Sequence, residues 1–154
     1  MTMLRLSAVV LAGLIVTSTV AAQERKITRR DLPAAVARTV AAQRHGARVR
    51  GYSEEKENGQ TFYEAELVLH GRSKDILIDT SGAVVEVEEQ VDLTALPEAV
   101  QAGLRAGAGS GRITKVESLT KLGQLVAYEA NVTTGGKRSE VQVGPDGKPL
   151  AHEQ

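Results

Sequence analysis

Tyr63-Glu64-Ala65-Glu66-Leu67-Val68-Leu69 and Tyr128-Glu129-Ala130-Asn131-Val132 decide the fold. In the first, Tyr63, Ala65, Leu67 and Leu69 fall on one side of an extended chain while Glu64, Glu66 and His70 fall on the other. That period of two belongs to a strand with one buried face. Ile76 and Ile78 continue the inner face after Gly71, and Val85 and Val87 continue it after Ser81-Gly82. Tyr128, Ala130 and Val132, then Val141 and Val143, repeat the pattern, with Asn58-Gly59, Gly135-Gly136 and Pro145-Asp146-Gly147 as further turns.

Working outward, the chain is one pattern written twice. Leu32-Pro33-Ala34-Ala35-Val36 matches Leu96-Pro97-Glu98-Ala99-Val100 at an offset of 64, and Arg48-Val49 matches Arg112-Ile113. After one inserted residue the offset is 65, and Gly71, Ile76, Ile78 and Gly82 fall on Gly136, Val141, Val143 and Gly147. Units this long read as a duplicated domain instead of a solenoid. Leu32, Val36 and Val40, and likewise Leu96, Val100 and Leu104, recur every fourth residue, so each unit opens with a helix. Pro33 and Pro97 suit its first turn, with Asp31 and Thr94 as nearby caps. The helices are expected to end near His45-Gly46 and near Gly107.

The expected fold class is therefore α+β: two tandem α-β-β-β(-β) repeats, each a helix packed on an antiparallel sheet. Residues 31–91 form the first repeat and 92–154 the second. The connection from Val91 to Ala95 is short, so the copies are expected to pack against each other. Pro149 replaces a ladder donor in the second copy, so its last strand is expected to be short or at an edge.

Before the repeats, Arg5 precedes an apolar run from Leu6 to Val16, and Val20-Ala21-Ala22 supplies small residues. This is a secretory signal over residues 1–22, with 23–30 as a solvated linker bearing Arg25, Lys26, Arg29 and Arg30. The apolar run is shorter than the roughly 20 residues that span a bilayer, so no membrane span is expected after cleavage. The expected location is periplasmic or secreted. Of 19 basic and 19 acidic side chains only Arg5 lies in the signal, leaving a net charge of −1. That balance gives no long-range field for nucleic acid.

The Leu-Pro helix start, Tyr63 to Leu69, Asp75 to Gly82 with Val85 and Val87, and their partners Leu96-Pro97, Tyr128 to Val132 and Glu140 to Gly147 resemble the PepSY family. The tandem form resembles the PepSY-like group related in fold to β-lactamase inhibitory protein. The resemblance implies a secreted or envelope-associated module without catalytic residues, in parts of the family associated with peptidases as propeptide or inhibitor. This chain has no Trp, one Phe and three Tyr, so it lacks the aromatic surface that commonly anchors an inhibitor.

Candidates for chemistry are few. There is no cysteine, and His45, His70 and His152 lie apart without metal-ligand spacing. Asp79-Thr80-Ser81-Gly82 reads as a hairpin turn, because an aspartic-protease loop needs Gly after Thr and a second such Asp. Gly107, Gly109 and Gly111 follow a helix, where a dinucleotide fingerprint follows a strand. Asn131-Val132-Thr133 is a glycosylation sequon inside a strand, and Glu54-Glu55 and Glu86, Glu88, Glu89 read as solvated edges. The chain is thus expected to be no enzyme, with no catalytic residue, metal or cofactor. It is expected to be an exported binding module for a protein or peptide, a peptidase being the class the resemblance implies. Phe62, Glu64, Val68, Leu77 and Val84, on the strand face opposite the core, are the candidate partner site. The alternative is an envelope structural or assembly protein acting through sheet pairing or homodimerisation.

Overall fold

The computed structural model describes Gln23 to His152 and Gln154; the expected signal segment 1–22 lies outside these residues. Eight strands follow one another in space as they do in sequence: β1 Gln23–Ile27, β2 Arg48–Glu57, β3 Gln60–Leu69, β4 Arg72–Asp79, β5 Val84–Gln90, β6 Arg112–Lys121, β7 Gln124–Thr134 and β8 Lys137–Val143. They form a single open sheet, order β1 to β8, with every neighbouring pair antiparallel. Helix α1, Ala34–Gln43, lies between β1 and β2, and α2, Glu98–Ala108, between β5 and β6.

This corrects the expected fold class. Two helix-on-sheet repeats would need two sheets, whereas β5 and β6 pair from Glu86 opposite Lys121 to Gln90 opposite Glu117, so the molecule is mostly one sheet. The Val91 amide extends the join by donating to the Val116 carbonyl at 2.9 Å. The reason is the backbone: the chain leaves β5, crosses the sheet as α2 and returns beside β5 as β6, and pairing the two edges satisfies backbone groups that would otherwise lack partners.

The expected linker is also a strand in part. β1 pairs with β2, and Arg25 meets Glu54 at 3.2 Å while Lys26 meets Glu66 at 2.7 Å. The basic cluster is thus matched to acids on the sheet beside it. Asp31 does not cap α1: its carboxylate accepts from the Thr28 amide and hydroxyl, and Thr94 lies in a short turn, Leu93–Ala95. Neither α1 nor α2 has a side-chain cap bond; Pro33 and Pro97 stand at the cap positions.

Both helices lie on one face of the sheet. Under α1, Val36 and Val40 pack with Ala65, Leu67, Ile76 and Ile78. Under α2, Val100 and Leu104 pack with Val116, Ala130, Val132 and Val143. Directly opposed residues of antiparallel strands share a face. Between the two clusters that face is crossed by the row Lys74, Glu89, Ser118, which is polar. The halves therefore share a ladder while their hydrophobic clusters stay separate. Val85, expected inside, is displaced: the register slips between Leu77 and Ile78, so Val84 stands opposite Ile78 and Val85 becomes the extra residue of a bulge.

α2 sits close over its strands because it carries glycine where α1 carries threonine. Thr39 donates its hydroxyl to the Gly82 carbonyl at 2.6 Å. At the equivalent place, 64 residues on, Gly103 leaves room for the Gly147 carbonyl to lie against the helix backbone. α2 ends at Ala108, next to the expected Gly107, which lies in its last turn above Val141.

Candidate functional site

The face away from the helices carries the site. Its residues follow from register: Ser53, Glu64, Leu77, Glu86 and Lys121 form one row across β2 to β6. Glu66, Asp75, Glu88, Leu119 and Ala127 form the next across β3 to β7. Gln90, Glu117, Glu129 and Gln142 form a third across β5 to β8. Strand alternation, which sends apolar side chains under the helices, sends carboxylates here.

Asp75, Glu88 and Glu117, from three different strands, place carboxylate oxygens within 4.8 Å of one another. Glu117 is buried, accepts from the Ser73 hydroxyl at 3.3 Å and pairs with the Lys115 ammonium at 2.7 Å. Asp75 and Glu88 have no ion pair among the described residues. Burial pushes the Glu88 carboxyl up to about 7, helped by the charges of Glu117 and Glu129. Burial, then Glu64 and Glu117, pushes Asp75 up to about 6. Glu55 and Glu129 are also raised, first by burial. Glu66 is held low instead, by hydrogen bonds from Lys26 and Arg50. A depression of about 160 Å³ opens here, between Glu55, Glu64, Asp75, Leu77, Glu86 and Glu88.

Chemically, such a face can hold protons near neutral pH, or receive an ammonium or guanidinium group. Asp75, Glu88 and Glu117 could each give one oxygen to a hard divalent cation, fewer than the six to eight that calcium takes.

Of the expected partner face, Phe62, Glu64, Val68 and Leu77 lie on this side, half-buried. Val84 does not: the bulge turns it toward Ile78 and the α1 cluster. Val85 takes the outer position and lines a depression with Phe62 and Asp79. Asp79 itself closes a turn, accepting from the Ser81 amide and hydroxyl and the Ala83 amide, which hold its carboxyl below the usual range. The carboxylate triad was not readable from spacing, since Asp75 and Glu117 lie far apart in sequence; the only signal was acids alternating with apolar residues on several strands.

These shifts carry a pH prediction. A carboxyl raised in the folded state holds its proton where the unfolded chain has lost it, so stability falls as pH rises between the two values. For Asp75 and Glu88 the window runs from about pH 4 to about pH 7. Because both groups are partly open to solvent, screening reduces the combined loss to about 1–3 kcal/mol. Urea midpoints should therefore be lower at about pH 8 than at about pH 5, and Glu88→Gln should flatten the profile. A wild-type profile flat across this window would show that the two groups are not desolvated.

No family model matches the chain, and no curated protein matches it. Solved structures do match in fold. A BLIP-like protein from Bacteroides fragilis NCTC 9343 aligns at 18% identity over 78% of this chain and 83% of its own, with a TM-score of 0.56. A protein provisionally assigned to the periplasm of Bacteroides eggerthii DSM 20697 aligns at 16% identity over 77% and 86%, with a TM-score of 0.63. A DUF2874 family protein from Bacteroides uniformis ATCC 8492 aligns at 16% identity over 77% and 86%, with a TM-score of 0.60. No helix among the described residues is long and apolar enough to cross a membrane. The chain has the fold of BLIP-like and DUF2874 family proteins.

Proposed function

We propose that this chain is an exported, non-catalytic binding module of the PepSY-like kind, whose open sheet face receives a basic segment of a periplasmic protein or peptide. The observation that carries the reading is the uncovered face itself: Glu55, Glu64, Asp75, Glu86 and Glu88 surround the apolar Leu77 in a depression. Leu77 offers contact area, and the carboxylates offer a charge complementary to lysine and arginine. The periplasmic assignment of a protein of the same fold supports the location, and the PepSY resemblance makes a peptidase the first partner class to try.

A short lysine-rich peptide carrying one leucine is the probe. Fluorescence anisotropy should show saturable binding that weakens with salt and about tenfold in a Glu64→Gln, Asp75→Asn variant. Affinity should also rise from about pH 6 to about pH 8, as Asp75 and Glu88 lose their protons. Binding that ignores the substitutions would sink the reading.

The second reading, assembly by sheet pairing, is favoured by one observation: among the described residues the sheet is open, so β1 and, apart from the bridge of Val143 to Pro149, β8 each leave an edge. Light scattering of the chain from Gln23 distinguishes the two. A concentration-dependent dimer supports pairing, and a monomer at all concentrations removes it.

A further inference from the structure

Beyond the row of Lys115, Asn131 and Glu140 the charge on the open face turns positive. Arg112 stands opposite Thr133 and Thr133 opposite Arg138, so the register puts two guanidinium side chains on the strands flanking β7 with a hydroxyl between them. Thr114 is the extra residue of a β6 bulge, and its hydroxyl donates to the Asn131 carbonyl at 3.1 Å. Together with Lys115, Asn131 and the Gly136 turn these residues line a depression of about 580 Å³ whose surface is mainly polar.

Arg25, Arg50 and Arg72 each meet a carboxylate, Glu54, Glu66 and Asp92 respectively. Neither Arg112 nor Arg138 has an ion-pair partner among the described residues, and Lys115 is already held by Glu117. Of the other arginines on the sheet, Arg48 likewise has no ion pair among the described residues. Glu140, opposite Asn131, makes no ion pair with Arg138. Two strand spacings separate the arginine backbones, about 10 Å, a gap that long side chains can close over one multiply charged group.

We infer that the corner formed by Arg112, Thr133 and Arg138 is a binding site for a small polyvalent oxyanion, a phosphate-bearing or polycarboxylate ligand. The guanidinium forks supply paired donors to oxygen, the Thr133 hydroxyl a neutral donor between them, and the two charges match a ligand with at least two of its own. A single monovalent anion would leave one guanidinium uncompensated. The site stands on residues separate from the acidic depression and does not depend on the function proposed for it.

The test uses the chain from Gln23 in a phosphate-free buffer at fixed ionic strength, with inorganic pyrophosphate and citrate titrated separately and amide and arginine Nε resonances followed. The expected result is saturable shifts confined to Arg112 to Lys115 and Asn131 to Arg138, weakened at least about tenfold in Arg112→Gln, Arg138→Gln. The charge-matched variant Arg30→Gln, Arg38→Gln, exposed and far from the depression, should bind within about twofold of wild type. Saturation by pyrophosphate alone assigns a phosphate-bearing ligand, by citrate alone a polycarboxylate, and by both the oxyanion class as a whole. No saturable shift with either ligand, or equal loss in the two double variants, would overturn the site.

Discussion

Gly147→Ala should destabilise the fold by about 2–4 kcal/mol, from two costs that add at one atom. Gly147 has φ +79°, a conformation in which a side chain crowds its own backbone. A Cβ built there would also overlap the Ala99 carbonyl at the start of α2, where backbone cannot move aside as a flexible side chain can. Gly136→Ala separates the two costs, because Gly136 has φ +80° but nothing within 4 Å of the added carbon. Urea unfolding of both variants should leave the slope unchanged and shift the midpoint further for Gly147→Ala. If the two shifts agree within about 0.5 kcal/mol, the scale of ordinary surface substitutions, α2 does not lie against this turn as described. The corresponding contact under α1 is looser, with the Gly82 Cβ position 3.1 Å from Ala35, so Gly82→Ala should fall between them.

Ile78→Ala is expected to cost about 2–4 kcal/mol as well, by a different route. Ile78 is fully buried under α1, and the change removes three carbons from a site that helix and sheet cannot both close over. Val143, 1% exposed, holds the equivalent place under α2. Because the polar row Lys74, Glu89, Ser118 keeps the two clusters apart, Ile78→Ala and Val143→Ala should add within about 0.5 kcal/mol in the double variant. A coupling well above that value would mean that the halves share packing as well as a ladder. Either single change costing less than about 0.5 kcal/mol would contradict its burial.

Much of the local structure was legible because it depends on neighbours in sequence. Tyr63 to Leu69 alternate, and the strand carrying them buries Ala65 and Leu67 while leaving Glu64 and Glu66 on the other face. Asn58-Gly59 and Gly135-Gly136 adopt positive φ at the turns their chemistry marks. Leu32, Val36 and Val40 recur every fourth residue, and all three are buried.

Other features depend on pairing between distant segments, and these the sequence did not show. Whether Val84 or Val85 faces the core depends on a bulge that exists only once β4 and β5 are aligned. Residues 23–30 look like a basic tail until Glu54 and Glu66 stand beside Arg25 and Lys26. The candidate site is of the same kind. Asp75, Glu88 and Glu117 become a cluster, and Arg112 and Arg138 neighbours across Thr133, only through strand register.

By itself, then, the sequence determined most of the strand alternation, the turns at Asn58-Gly59 and Gly135-Gly136, the apolar helix faces and the recurrence of one pattern. All of these are short-range steric and solvation preferences. Tertiary structure decided that the two patterns merge into one eight-stranded sheet, and that its free face gathers acids at its middle and arginines at one corner. The physical reason is that backbone hydrogen bonding does not depend on side-chain identity. Joining β5 to β6 satisfies two edges at once, and no residue in either strand announces which edge it will meet.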